Sequence, residues 1–204
     1  MLVISRTVPR SFLLLAIPLA ASSLSWPSTC TGQGEPANLA PNPSFEEPAG
    51  QEGAVPLGWT FFKRNSLRAG VTKEASKTGK QSLKMTCAKA PNDFEGANLK
   101  LPVAPGRKYT FSAFFKNDKL DPLGGTAHSM LVLEWHAADG TEMNRIQSRM
   151  FDANLSRLRW EQQLLKSVAA PPGAVTAIFG IHLCDGDSGG RGSILVDDVT
   201  IVEE

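Results

Sequence analysis

The sequence predicts an all-β fold, an antiparallel β-sandwich, on three observations. Short apolar segments of strand length recur along the chain. Clusters of Gly, Pro, Asn and Asp separate them, and apolar and polar residues alternate within them. WTFFKR, QSLKMTCAK, ANLKLPV, KYTFSAFFK, SMLVLEWHA, WEQQLLKSVA, AVTAIFGIHL and SILVDDVTIV read as the strands. VPLG, KTGK, APGR, DPLGG, ADG, PPG and DSGG read as the turns. ANLSRLRWEQQLLKS also fits an amphipathic helix. Its all-β surroundings favour a loop leading into a strand.

Alternation assigns a facing to each strand. In KYTFSAFFK, Tyr109, Phe111, Ala113 and Phe115 share one side, and Ser112, Phe114 and Lys116 the other. In LVLEWHA, Leu131, Leu133 and Trp135 oppose Val132, Glu134 and His136. In AIFGIHL, Phe179, Ile181 and Leu183 oppose Ile178, Gly180 and His182. The uniformly large apolar side is the predicted core. If these three strands share a sheet, its other side is a polar surface carrying one aromatic ring.

The chain has 204 residues. Arg6 and Arg10 followed by SFLLLAIPLAASSLSW have the order of a secretory signal peptide, with cleavage expected between Ala20 and Ser25. The apolar run is too short and interrupted for a spanning helix. The expected organisation is a signal peptide over 1–25, a linker over 26–37 and one domain over 38–204. Taking the two leader arginines from the 21 basic residues leaves 19 against 20 acidic ones, so no basic field is available for nucleic acid. Export to the cell surface, the periplasm or the medium is the expected location. Cys30 makes a poor lipid-attachment site, because Pro27 stands where a small or aliphatic residue is wanted. Cys87 and Cys184 end predicted strands, and whether they pair is left open by the sequence.

The run NLAPNPSFEEP, followed by VPLGW, resembles the start of the carbohydrate-binding modules typified by the cellulose-binding CenC domains. The similarity continues in order through TGKQSLKM, LPVAPGRKYTFSAFFK, LVLEWHAADG, RWEQQLLKSVAAPPGA and ILVDDVTIV, and spans Asn38 to Val202. The resemblance implies a galactose-binding-like jelly roll. It also implies a structural calcium joining the first and last strands, held by Glu46, by Lys80 through its carbonyl and by Asp197, with Asp198 the other candidate. Oxygen donors of this kind suit calcium. On the residues alone, Glu46 and Glu47 equally read as solvated, and Asp197 and Asp198 as capping an edge strand.

The resemblance further implies a polysaccharide or oligosaccharide ligand. A sugar site needs an aromatic platform and a few polar groups. Phe114 is the expected platform, with Ser112, Lys116, Glu134, His136 and His182 as hydrogen-bonding candidates. The loop KNDKLDPLGGTAHS is long enough to cover Phe114. Trp59 and Trp135 read as structural, and Trp160 equally as core plug or stacker. Glu134, His136 and His182 contain the elements of a two-His-one-carboxylate metal site, although nothing in their spacing requires one.

No G-x-S-x-G, H-E-x-x-H or phosphate-loop pattern is present, and no motif selects an acid pair such as Glu134 with Asp152. The expectation is therefore an exported, non-catalytic carbohydrate-binding module that holds a glycan on one sheet face and serves a separate hydrolase or surface protein. The alternative is a structural or protein-interaction sandwich without sugar binding. A small hydrolase on the same scaffold would need two carboxylates facing each other in a groove.

Overall fold

The computed structural model describes residues 36–63, 68–87, 93–186 and 189–204. The expected leader, most of the linker and Cys30 lie outside them. Among the described residues there is no helix, and so none long and apolar enough to cross a membrane.

Among the described residues ten strands follow one another: β1 (Thr60–Lys63), β2 (Arg68–Thr72), β3 (Ser82–Thr86), β4 (Phe94–Pro102), β5 (Lys108–Asn117), β6 (His128–His136), β7 (Glu142–Gln147), β8 (Glu161–Ala169), β9 (Thr176–Cys184) and β10 (Ser193–Glu203). They form two five-stranded antiparallel sheets, ordered β1-β4-β9-β6-β7 and β2-β3-β10-β5-β8. The sandwich expected from the sequence is the observed architecture, and the ambiguous segment before Glu161 is a turn-rich loop leading into β8.

Eight strands coincide with the eight expected segments; β2 and β7 were not expected. RAGVT carries a glycine where a strand wants a side chain. Gly70 is needed because the Gly53 backbone presses against it and would clash with any Cβ there. That contact comes with a short ladder: Gly53 N–H donates to the Val71 carbonyl at 2.8 Å, and Val71 N–H to Ala54 at 2.9 Å. EMNRIQ is an almost wholly exposed edge strand, so it has no alternation to read.

The assigned facings hold. Phe111, Phe115, Leu131, Leu133, Trp135, Phe179, Ile181 and Leu183 are all buried between the sheets. Phe111 of β5 meets Phe179 of β9 edge-on at 5.4 Å, and Tyr109 tilts against Trp135 at 5.8 Å. Such pairs add to the burial energy of the rings and fix their relative orientation.

The segment before β1 is fastened to the last strand. Asn38 Nδ2 donates to the Val199 carbonyl at 2.8 Å, and its Oδ1 accepts from Ile201 N–H at 2.9 Å. Leu39 N–H donates to the Ile201 carbonyl at 2.7 Å, and Val199 N–H to that of Pro43 at 2.8 Å. Phe45, fully buried, packs on Trp59 at 5.3 Å and makes this segment part of the core.

Truncating Phe45 leaves a cavity at the joint between the two ends of the domain. Phe45→Ala is expected to lower the unfolding free energy by about 3–5 kcal/mol, measured by urea denaturation. A loss below about 1 kcal/mol would show that the segment is not integral to the core.

Candidate functional site

The expected ligand set does not lie on one surface. β5 belongs to one sheet and β6 and β9 to the other, so Ser112, Phe114 and Lys116 face outward on the opposite side of the sandwich from Glu134, His136 and His182. The correction has a simple cause. Alternation states which side of a strand is buried, but not which of two sheets the strand joins.

Phe114 also lacks the open face a platform needs. Asp197 and Gln162 are its cross-strand neighbours, and the Lys77 ammonium lies 4.0 Å from its ring centroid. The cover comes from the loop before β3 and not from the one after β5. Ser112 is buried and accepts from Gln162 Nε2 at 3.2 Å. Lys116 lies 5.8 Å from the Trp160 ring.

The outer face of the β1-β4-β9-β6-β7 sheet is different. Register puts Phe62, Gly96, His182 and Met130 in one row across the strands. Thr60, Asn98, Gly180 and Val132 form the next, and Lys100, Ile178, Glu134 and Arg145 the third. A cavity of about 190 Å³ opens there, lined by Phe62, Phe94, Asn98, Glu134, Arg145, Ile178 and His182. Larger hollows of about 320 and 380 Å³ lie along the other sheet, but no aromatic ring lines either one.

Phe62 is 38% exposed and lies 5.3 Å from Phe94. The His182 ring sits 6.1 Å from Phe62 and 6.4 Å from Phe94, so three flat rings cluster at one end of the cavity. Arg145 closes the other end. Its Nε donates to Glu142 at 3.0 Å, and its Nη2 donates to Glu142 and Glu134, both at 2.9 Å. The hydrogen bonds to Glu142 hold the guanidinium pKa above its ordinary value.

His182 is buried, and burial, with help from the Arg145 charge, pushes its pKa down to about 4. It is therefore uncharged at neutral pH. His136 Nδ1 donates to the Gly140 carbonyl at 3.1 Å, and its Nε2 stands 3.5 Å from Glu134 without a hydrogen bond. Among the described residues no three His, Cys, Asp or Glu side chains form a metal-ligating group, so Glu134, His136 and His182 do not assemble the metal site their types suggested.

Two of the ring and charge groups, Glu134 and His182, were expected; Phe62, Phe94, Asn98 and Arg145 were missed. Phe62 alternates with the half-buried Phe61, and that alternation was readable. Arg145 sits on the strand without periodicity, Phe94 lies ahead of the segment ANLKLPV read as its strand, and Asn98 within that segment was not singled out.

The expected calcium ligands converge on the loop before β3. Glu46 Oε1 accepts from Lys80 N–H and Gln81 N–H, both at 2.9 Å, so Lys80 is brought there through its N–H. Asp197 Oδ2 accepts from Lys77 N–H at 2.6 Å and Thr78 N–H at 3.2 Å. Lys77 Nζ pairs with Asp198 at 2.8 Å. Burial raises the Asp197 carboxyl to about 6. Cys87 and Cys184 are both free thiols: Cys87 follows β3 and is buried inside the sandwich, while Cys184 faces outward at the end of β9. Burial raises the pKa of both thiols, that of Cys184 to about 11.

No family model matches the chain, and no curated protein matches it. Solved structures do match in fold. An enzymatically active domain of a tailspike protein from bacteriophage CBA120 aligns with a TM-score of 0.60 at 14% identity, over 82% of this chain but only 21% of the tailspike chain. A CBM22 xylan-binding domain from Paenibacillus barcinonensis aligns with a TM-score of 0.52 at 21% identity, covering 78% of this chain and 90% of that one. A CBM61 module solved with β-1,4-galactotriose aligns with a TM-score of 0.51 at 14% identity, covering 82% and 99%. This chain therefore has the β-sandwich fold of known carbohydrate-binding modules; the CenC type in particular is not among these three.

The His182 pKa makes stability depend on pH. Its ordinary value is near 6.5 and its folded value about 4, so between these pH values the unfolded chain binds the extra proton. Stability conferred by neutral His182 is complete above pH 6.5 and falls as pH drops toward 4, by on the order of 3 kcal/mol in all. The urea-unfolding difference between wild type and His182→Gln should shrink by this order from pH 7 to pH 4.5. A difference that stays constant would contradict a buried, neutral His182.

Proposed function

We propose that this chain is an exported, non-catalytic carbohydrate-binding module that holds a glycan across the outer face of the β1-β4-β9-β6-β7 sheet. The observation that carries the reading is the pair of rings, Phe62 and Phe94, over a cavity whose remaining wall is Asn98, Glu134, Arg145 and His182 with the single apolar Ile178. An aromatic face takes the C–H side of a sugar ring, and nearby amide, carboxylate and guanidinium groups take its hydroxyls. Asn98, Glu134, Arg145 and His182 fill the second role. The likeness to modules solved as a xylan-binding domain and with a galactotriose supports the same class of ligand and makes xylohexaose and β-1,4-galactotriose suitable first probes. The module delivers a separate hydrolase, or its own surface protein, to the polysaccharide.

The CenC-like relationship belongs to the same proposal, as does a calcium ion at Glu46 and Asp197; the Lys80 carbonyl is not among its ligands, because across the trans peptide it points opposite to the Gln81 N–H that faces Glu46. Two carboxylates from opposite ends of the domain meet one loop, and these all-oxygen donors suit calcium. The N–H groups now on those carboxylates do part of the same work, so the ion adds stability to a joint that already closes.

Isothermal titration against soluble glycans tests the reading. Phe62→Ala and Phe94→Ala should each weaken binding by about tenfold, while Phe114→Ala leaves it unchanged. Loss with Phe114→Ala alone would move the site to the opposite sheet. A folded wild type that binds no glycan would favour the protein-interaction reading. For calcium, a thermal midpoint that rises with millimolar CaCl₂ and falls with EDTA is expected; equal midpoints would remove the ion.

A further inference from the structure

Two turns at one end of the sandwich each hold a leucine out in solvent. Leu120, after β5, is 88% exposed, and Leu158, before β8, is 86% exposed; no other large apolar side chain among the described residues is as exposed. Each has a second leucine three residues away, Leu123 and Leu155, and both of these are buried in the core. The core's demand for a leucine is therefore met in both turns, and packing gives no reason for the exposed one.

Hydrogen bonds hold the two tips in place. Leu120 N–H donates to Asp118 Oδ1 at 2.7 Å, and Leu158 N–H to Ser156 Oγ at 3.2 Å, so a polar side chain two residues back fixes each turn. Asn117, fully buried at the end of β5, ties both turns to one point. Its N–H donates to the Ser156 carbonyl at 2.9 Å and its Nδ2 to the Leu155 carbonyl at 3.1 Å, while its Oδ1 accepts from Leu123 N–H at 2.7 Å. Positive charge flanks both tips. Lys119 precedes Leu120, Arg157 and Arg159 bracket Leu158, and all three are exposed. None of them makes an ion pair among the described residues. The carboxylates nearby are drawn back onto the fold: Asp118 to Lys84 at 2.6 Å, Asp121 to the Ser193 hydroxyl at 2.8 Å, Asp152 to Asn154 N–H at 2.8 Å and Glu161 to Ser156 N–H at 3.1 Å. Trp160, half-buried, follows Arg159 at the foot of the second turn.

We propose that these two turns dock the chain on an anionic lipid surface, with Leu120 and Leu158 entering the acyl boundary and Lys119, Arg157 and Arg159 meeting the phosphates. A soluble polyanion would use the cations and leave the leucines in water. A bilayer takes both, and an amphipathic ring such as Trp160 suits its headgroup level. Neither signal holds a protein firmly by itself: apolar insertion at two points is marginal, and surface charge is screened by salt. Together they add. β5 and β8 belong to the sheet that does not carry Phe62 and Phe94, so the docking turns and the aromatic cavity share no strand, and the proposal stands apart from what that cavity binds.

The test uses residues 35–204, the compact unit that holds both sheets and the whole core, so that no apolar leader reaches the lipid. Co-sedimentation is measured with vesicles of phosphatidylcholine alone and of phosphatidylcholine and phosphatidylglycerol in equal amounts. Wild type should bind the mixed vesicles, bind phosphatidylcholine at least tenfold more weakly, and come off as salt is raised. The double variant Leu120→Ser/Leu158→Ser and the triple variant Lys119→Gln/Arg157→Gln/Arg159→Gln should each weaken binding by about tenfold or more. Every substituted side chain is exposed, and circular dichroism checks that each variant folds. Trp59 and Trp135 are buried, so Trp160 reports the contact: its emission should shift to the blue on the mixed vesicles and be quenched by brominated acyl chains. A wild type that ignores the mixed vesicles, or binds both kinds equally, overturns the proposal. So does a folded leucine variant that binds as wild type; charge alone would then hold the chain, and dextran sulfate should compete as well as the lipid does.

Discussion

The edge-on contact of Phe111 with Phe179, with Tyr109 against Trp135 beside it, is the constraint on which the rest of the molecule depends. These rings come from different sheets and interlock across the middle of the sandwich. Once they are committed inward, the two-residue period of a strand determines what every neighbour does. His182 and Gly180 must face out because Phe179 and Ile181 face in. Glu134 must face out because Leu133 and Trp135 face in. A one-residue slip of either strand would place a carboxylate and an imidazole in the core, so the same packing that stabilises the fold protects the register of the outer face.

That outer face is where the two sheets part in character. On the β2-β3-β10-β5-β8 sheet, local partners occupy the charged groups and the ring. Lys77 covers Phe114, and Lys84 lies between Asp118 at 2.6 Å and Glu74 at 2.7 Å. On the other sheet two rings stand next to polar atoms without partners, over a floor thinned by glycine. A surface that satisfies itself has little to gain from a ligand. One that leaves an aromatic ring exposed beside polar groups gains from covering it.

Much of this was readable from the residues. Turn spacing and alternation supplied the sandwich, eight of the strands and the inward layer, because burial imposes a period that the sequence must carry. Glu134 and His182 were identified as outward polar groups for the same reason. The sheet to which each strand belongs was not readable. Consecutive strands β5 and β6 go to opposite sheets, and nothing local in KYTFSAFFK or SMLVLEWHA records that choice. Phe114 was favoured because its neighbours alternate cleanly, while the alternation of Phe62 with Phe61 in a four-residue strand was too short to say which neighbours it would meet. Arg145 was hidden because an exposed edge strand has no core to imprint a pattern on it. The tie between Asn38 and the last strand spans most of the chain, and no local pattern predicts it.

The most direct test of the account is to map the ligand onto the two sheets. Backbone amide shifts of the isotope-labelled domain would be followed during titration with xylohexaose, or with whichever neutral oligosaccharide binds. The account predicts saturable shifts concentrated at Phe62, Gly96, Asn98, Glu134, Gly180 and His182, with Ser112, Phe114 and Lys116 unmoved. Shifts concentrated at Ser112 to Lys116 with the first set silent would contradict it, because the glycan would then lie on the sheet whose groups already satisfy one another.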